Sequence, residues 1–190
     1  MVNTLGIVNL LLALLIILNV IELVINITTK KMKFIKLKED VKIPTKDYEN
    51  AGYDIYANFD EENFVIEPHT TKLVPTKLST IFSPKYVMIL KERGSTGSRG
   101  IALRCGVVDS SYRGEIFVCL TNTNDKPLVI TKEEDTSALE EDYIVYPYKK
   151  AIAQAVMLEI PNLRIKEGSI EDLEKNQTKR GSGKLGSSGK

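Results

Sequence analysis

Two incompatible hydrophobic patterns meet at Met32 and set most of what this chain can become. Before that point, Leu5 to Ile27 is an almost unbroken aliphatic run in which 18 of 23 residues are Leu, Ile, Val or Ala; the exceptions are Gly6, Asn9, Asn19, Glu22 and Asn26. Such a run has no polar face to turn to water. As a helix it would reach roughly 35 Å at ~1.5 Å per residue, against a bilayer core of about 30 Å. No basic residue precedes it, whereas Lys30, Lys31, Lys33, Lys36 and Lys38 follow. The sequence therefore predicts a single transmembrane helix over residues 5–27 that holds the remaining chain on the cytoplasmic face of a membrane. A secretory signal fits poorly, because the positive n-region and a small-residue cleavage site are both missing. The alternative is a misplaced start, with residues 1–31 a leader of no role, since Met32 opens Met-Lys-Phe-Ile-Lys-Leu, which reads as the first strand of a domain.

Beyond Met32 the apolar residues recur with period 2, the signature of half-buried strands. Tyr53 to Ala57, Lys85 to Leu90 and Glu115 to Leu120 are short β-branched or aromatic runs, punctuated by Pro44, Gly52, Pro68, Pro75, Pro84, Gly94, Gly97, Gly100, Asn122 and Pro127. Many short strands between close turn signals predict an all-β sandwich, jelly roll or barrel. Glu133 to Asp142 carries six acidic residues in ten and reads as a solvated loop. A short helix is expected over Ser169 to Asn176, with Ser169 as its N-cap. Residues 175–190 hold five basic residues, four glycines and no acid, a linker-like composition.

The formal net charge of +1 gives no basic excess for bulk nucleic-acid binding. A single histidine, His69, excludes a multi-His zinc site and leaves little room for a Ser-His or Cys-His nucleophile. Cys105 and Cys119 lack CxxC spacing, so they form neither a zinc ribbon nor a thioredoxin motif, and two free thiols suit a reducing compartment.

Four stretches carry candidate chemistry. Lys91 to Gly100 follows a strand with glycines, Arg93, Ser95, Ser98 and Arg99, a plausible anion-binding turn. Gly106 to Glu115 reads as strand, turn and strand, with Asp109 opening the turn and Tyr112 inside it. Arg180 to Gly189 offers small residues and donors suited to wrapping a polyphosphate, although it is not a P-loop. Ala51 to Ile55 is weak by itself.

Taken in order, these stretches closely resemble the motifs of the trimeric deoxyuridine triphosphatases, the dUTPases. Ala-Gly-Tyr-Asp-Ile-Tyr-Ala (51–57) is similar to the first motif, Arg-Gly-Ser-Thr-Gly (93–97) to the second and Gly-Val-Val-Asp-Ser-Ser-Tyr-Arg-Gly-Glu-Ile (106–116) to the third. Ala-Ile-Ala-Gln (151–154) resembles the fourth and Arg-Gly-Ser-Gly-Lys-Leu-Gly-Ser-Ser-Gly (180–189) the fifth. The resemblance runs from about Met32 to Lys190.

It implies an all-β fold of the β jelly roll or β-clip kind, a homotrimer, and dUTP hydrolysis to dUMP and pyrophosphate with Mg2+ as cofactor, by water attack on the α-phosphorus. Such an activity keeps uracil out of DNA and supplies dUMP. The implied domains are a leader over 1–31, a β domain over 32–174 and an arm over 175–190 that closes a neighbouring subunit's site. By the same resemblance Asp109 orients the attacking water and Tyr112 lies against the deoxyribose. Gly106, Val107 and Val108 read the uracil edge. Arg93, Gly94, Ser95, Gln154, Arg180, Ser187 and Ser188 meet the phosphates, and Asp54 reaches the metal through water. Leu185 stands where the family usually has Phe, so the cover over uracil becomes aliphatic. Ala151 stands where it usually has Arg, a charge that Lys149 or Lys150 could replace. The expected partners are dUTP and two further copies of the chain, with no nucleic acid; a membrane through residues 5–27 and a regulatory protein are the other partners the reading allows. A dCTP deaminase on the related fold is the rival enzyme.

Overall fold

The computed structural model describes residues 4–28 and 32–182, with the side chains of the first helix described over residues 6–21. The long aliphatic run does form a helix, α1 (Thr4–Thr28). Every described side chain on it is exposed. Among the described residues no helix is long and apolar enough to cross a membrane, so the structure does not support the membrane anchor expected over residues 5–27.

After the leader the period-2 pattern becomes twelve short strands: β1 (Lys33–Lys36), β2 (Tyr53–Ile55), β3 (Asn63–Ile66), β4 (Thr71–Pro75), β5 (Leu78–Ile81), β6 (Tyr86–Lys91), β7 (Ile101–Arg104), β8 (Val107–Val108), β9 (Phe117–Asn122), β10 (Leu128–Thr131), β11 (Ile144–Pro147) and β12 (Ala153–Glu159). They pair as four small sheets: β1–β5, β11–β10–β3, β2–β12–β6–β8 and β4–β9–β7. Every pairing is antiparallel except β10 with β11. That parallel pair is joined through the acidic segment, whose described side chains are mostly exposed, as a solvated loop requires.

The alternating positions of these strands meet in one core that includes Ile55, Ile66, Val74, Leu90, Ile101, Leu120, Leu128, Ile130 and Ile152. Burying side chains of this size supplies on the order of 1.5–3 kcal/mol each before chain entropy is charged against it. At one edge Phe59 packs on Phe64 and Tyr148 with centroid separations of 5.3 and 5.1 Å. The Lys132 ammonium lies 5.2 Å from the ring centroids of both Phe59 and Tyr148, and it donates to the carbonyls of Phe59 and Asp60.

One helical turn interrupts the strands. The segment after β6, expected as a glycine-freed turn, is instead a single turn of helix, α2 (Gly94–Gly97). Thr96 is responsible: its hydroxyl accepts from the Arg93 amide and donates to the Arg93 carbonyl, both at 3.0 Å, while its side chain is buried. Among the glycines of this segment only Gly100 has a positive φ, +72°.

The chain divides into two compact units, residues 1–160 and 161–190. The second holds α3 (Ile170–Lys175), capped as the sequence predicts: the Ser169 hydroxyl accepts from the Asp172 amide, and the Asp172 carboxylate accepts from the Ser169 amide.

Candidate active site

Strand register assembles the first group of candidate residues. β12 lies between β2 and β6, pairing Gln154 with Asp54 on one side and with Lys91 on the other. This register aligns the 51–57 and 151–154 stretches, which are about a hundred residues apart in sequence. The Gln154 amide donates to the Glu92 carbonyl at 2.8 Å, which fixes the side chain over the end of β6. Gly52 leaves room for it, since a Cβ there would sit 2.7 Å from Gln154 Oε1.

Arg93 follows at once. Its Nε lies 3.0 Å from Asp54 Oδ1, Nη2 donates to Oδ2 at 3.3 Å, and Nη1 donates to the Ala151 carbonyl at 3.4 Å. Both charged side chains are about one-third exposed. Asp54, Arg93 and Gln154 thus form one polar cluster drawn from three separate stretches. Gly94 and Ser95 continue from it, exposed, in the first turn of α2. Beside them opens a cleft of about 410 Å³ lined by Glu92, Arg93, Gly94, Gly97, Ser98 and Thr123, among others.

Glu92 is a residue that the sequence reading missed. One carboxylate oxygen accepts from the Leu103 amide at 2.9 Å, tying the end of β6 to β7. That hydrogen bond, above all, holds its carboxyl below the ordinary glutamate range. Nothing in the sequence marks it, because the partner is a backbone amide supplied by the fold.

The second group lies on residues 106–116, a hairpin-like turn that leads from β8 in one sheet to β9 in another, where a strand–turn–strand pairing was expected. β8 pairs with β6 through Met88–Val108 and Ile89–Val107, and the Leu90 amide donates to the Gly106 carbonyl at 2.6 Å. Gly106 is required there, because a Cβ would stand 2.4 Å from the Leu90 carbonyl oxygen, which is backbone and cannot swing aside. The turn closes when the Tyr112 amide donates to the Asp109 carbonyl at 3.1 Å. The Tyr112 ring then folds back over Gly114, where any Cβ would meet its hydroxyl at 2.4 Å. That hydroxyl donates to the Glu115 carbonyl at 3.0 Å.

Glu115 in turn fastens the hairpin to the β4–β5 corner. Its carboxylate accepts from the Lys77 amide at 3.0 Å and from the Lys77 ammonium at 3.1 Å. The result is a cleft of about 250 Å³ walled by Val107, Val108, Asp109 and Tyr112, together with Leu73, Cys105, Glu115, Ile116 and Phe117. Leu73 carries no recognisable sequence signal and reaches the cleft only through the β4–β9 pairing, whereas Phe117 follows Ile116 in the chain.

Arg93 and Gly94 of the first group and Val107, Val108, Asp109 and Tyr112 of the second thus line two clefts with no wall residue in common. Arg180 belongs to the second unit and is exposed. Leu185, Ser187 and Ser188 lie outside the described residues. The replacement charge expected of Lys149 is engaged elsewhere: its ammonium pairs with Glu134 at 2.8 Å, because the acidic loop passes beside it. Ala151 itself is buried, and its backbone carbonyl accepts from Arg93.

Known proteins resemble this chain in sequence and in fold. The dUTPase family profile matches residues 39–135, about half of the chain. A deoxyuridine 5'-triphosphate nucleotidohydrolase of Candida albicans is 35% identical over 165 residues, spanning 86% of this chain and 91% of the relative. One of Nautilia profundicola is 33% identical over 164 residues, 84% of this chain and 99% of its own length. Among solved structures, a variant dUTPase of Staphylococcus bacteriophage 80alpha with dUpNHpp superposes with a TM-score of 0.63 at 22% identity, covering 85% of this chain and all of that one. The motif order, the strand register that gathers the motifs, and relatives matched over nearly their whole length lead to one conclusion: the chain belongs to the dUTPase family.

Proposed function

We propose that this protein hydrolyses dUTP to dUMP and pyrophosphate, as a homotrimer and with Mg2+. The observation that carries the reading is the hairpin cleft, in which Asp109, Tyr112 and the Val107–Val108 backbone face a single space. Its roughly 250 Å³ falls below the ~300–1,000 Å³ of an ordinary ligand pocket. A site shared between subunits accounts for that shortfall and for the separation of the hairpin cleft from the Arg93 cluster. The exposed apolar side chains of Leu73, Val107 and Phe117 around the cleft favour the same assembly.

In this reading the backbone of 106–108 meets the uracil edge, and the Tyr112 ring lies where a ribose 2'-hydroxyl would have to go. Asp109, exposed at the mouth of the turn, orients a water for in-line attack and accepts its proton. Arg93, Ser95, Gln154 and the amides of α2 receive phosphate oxygens, with Arg180, Ser187 and Ser188 arriving on the arm of residues 175–190 and Leu185 covering the base. The Arg93 fork suits phosphate as well as it suits carboxylate.

The donor set fits a magnesium ion carried mainly by the substrate. Among the described residues no group of three His, Cys, Asp or Glu could hold a metal ion. Asp54 stands beside the phosphate donors, the neighbouring Glu92 carboxylate being engaged by the Leu103 amide, and Mg2+ characteristically keeps several waters and takes few protein ligands. When bound, the ion would neutralise triphosphate charge; Asp54 would reach it through water.

The direct test is pyrophosphate release by the purified protein with magnesium, offered dUTP, dTTP, dCTP and UTP separately. Release from dUTP alone is expected. Ammonia release from dCTP would transfer the chain to the deaminase class.

A further inference from the structure

Cys105 and Cys119 are fourteen residues apart in sequence yet adjacent in the fold. β7 pairs with β9 so that Arg104 stands directly opposite Cys119, and Cys105 is the next residue after that pair. In an antiparallel ladder this diagonal puts the two Cα atoms on the order of 6 Å apart. Disulfides span about 4.4–6.8 Å. A strand continuing past Arg104 would direct Cys105 to the face opposite Cys119, because side chains alternate. It does not continue: Cys105 has a φ of +50°, which is uncommon for a residue with a Cβ and breaks the alternation. The strand register and this break together place the two residues side by side, and the Cys105 thiol contributes to the upward shift of the Cys119 pKa.

Their environments differ in a way that assigns roles. Cys105 is exposed and lines the hairpin cleft immediately before Gly106; Cys119 is buried within β9. Burial, with the neighbouring thiol second, raises the Cys119 pKa. An incoming oxidant therefore meets Cys105 first, and Cys119 waits behind it.

We propose that Cys105 and Cys119 form a reversible oxidation site, in which a disulfide between them resets the hairpin and impairs the adjoining cleft. With a peroxide as oxidant, the Cys105 thiolate attacks one peroxide oxygen, the O–O bond breaks, and a sulfenic acid and water form. The Cys119 sulfur then attacks the Cys105 sulfur, the S–O bond breaks, and a second water leaves. Two electrons and two protons pass from the thiols to the peroxide. The functional consequence follows from position: Cys105 is bonded to Gly106, whose carbonyl accepts from Leu90 and whose lack of a Cβ lets the hairpin seat on β6. Drawing the Cys105 sulfur toward Cys119 rotates that peptide. This consequence rests on the cleft being the nucleotide site proposed above.

The full-length protein is treated with hydrogen peroxide, then either analysed directly or returned to dithiothreitol. Trypsin separates residues 105–113 from residues 114–132, so the expected product is a disulfide-linked pair of these peptides, independent of protein concentration. Misplacement of a reacting group by about an ångström costs on the order of a hundredfold. We therefore expect kcat/KM for dUTP to fall about tenfold or more on oxidation and to return on reduction. Cys105→Ser gives no linked peptide and keeps its own untreated rate after peroxide. A free Cys119 thiol in the oxidised wild type, or Cys105 ending as sulfinic acid or joined to another molecule, overturns the site. A linked peptide with unchanged kcat/KM overturns its control of the cleft. If the reduced protein hydrolyses no dUTP, the proposed activity fails, and the linked peptide alone then decides whether the oxidation site exists.

Discussion

Arg93 grips Asp54 with two nitrogens, Nε at 3.0 Å and Nη2 at 3.3 Å, and thereby joins two of the family's sequence motifs in one ion pair. The pair is partly exposed, so its contribution to stability is modest. Its larger effect is orientation. The guanidinium is held by Asp54 and by the Ala151 carbonyl, and Arg93 lines the cleft beside Gly94.

Arg93→Lys keeps the charge and loses the fork. Steady-state kinetics should show kcat/KM for dUTP reduced by about a hundredfold, the scale of losing one transition-state donor. Arg93→Ala should be worse. A lysine variant with wild-type kcat/KM would show that the fork geometry is irrelevant.

Asp109→Asn changes one carboxylate oxygen to an amide and leaves the turn intact, because the turn is closed by the Asp109 backbone carbonyl. Turnover should fall by about 10²–10⁴-fold, the usual share of a general base. Calorimetry with dUpNHpp should still register binding. Loss of binding together with turnover would mean that Asp109 is a binding group and not the base.

Gly106 and Gly114 are both closed to a Cβ, with opposite consequences. At Gly114 the obstruction is the outer end of the Tyr112 ring, which can swing away. Gly114→Ala should fold normally while the ratio of kcat/KM for dUTP over UTP drops, since the ring no longer blocks the 2' position. At Gly106 the obstruction is the Leu90 backbone. Gly106→Ala should cost about 1–3 kcal/mol in denaturant unfolding, the usual penalty of overpacking.

Glu92 links stability to acid. Its folded-state pKa is depressed, chiefly by the Leu103 amide, so it contributes stability above its unfolded pKa that is lost as pH falls through the folded value. Urea midpoints should therefore decline below about pH 4. In Glu92→Gln that acid decline should be shallower. Identical pH profiles for the two proteins would remove the Leu103 bond from the account.

Removing residues 179–190 leaves α3 and every strand in place. A folded protein with greatly reduced dUTP turnover is expected. Full activity from the truncated chain would show that the arm is not the lid proposed here.

The sequence alone determined the local structure. Period-2 alternation marked β2, β6 and β9 to within two residues, and Ser169 with Asp172 marked the start of α3, because strand alternation and helix capping depend on neighbours in the chain. The order of the motifs was legible for the same reason, and so were Asp109 and Tyr112 on one turn. Thr96 escaped that reading: its hydroxyl winds the segment after Arg93 into a helical turn that glycine and serine content alone did not announce. Tertiary structure decided the rest. Only the β2–β12–β6 register sets Gln154 beside Asp54, and only the β4–β9–β7 register brings Leu73 into the cleft and Cys105 to Cys119. A one-residue slip in either sheet would turn these side chains to the opposite face, and register is fixed by core packing across the whole domain, not by any stretch of sequence near the site.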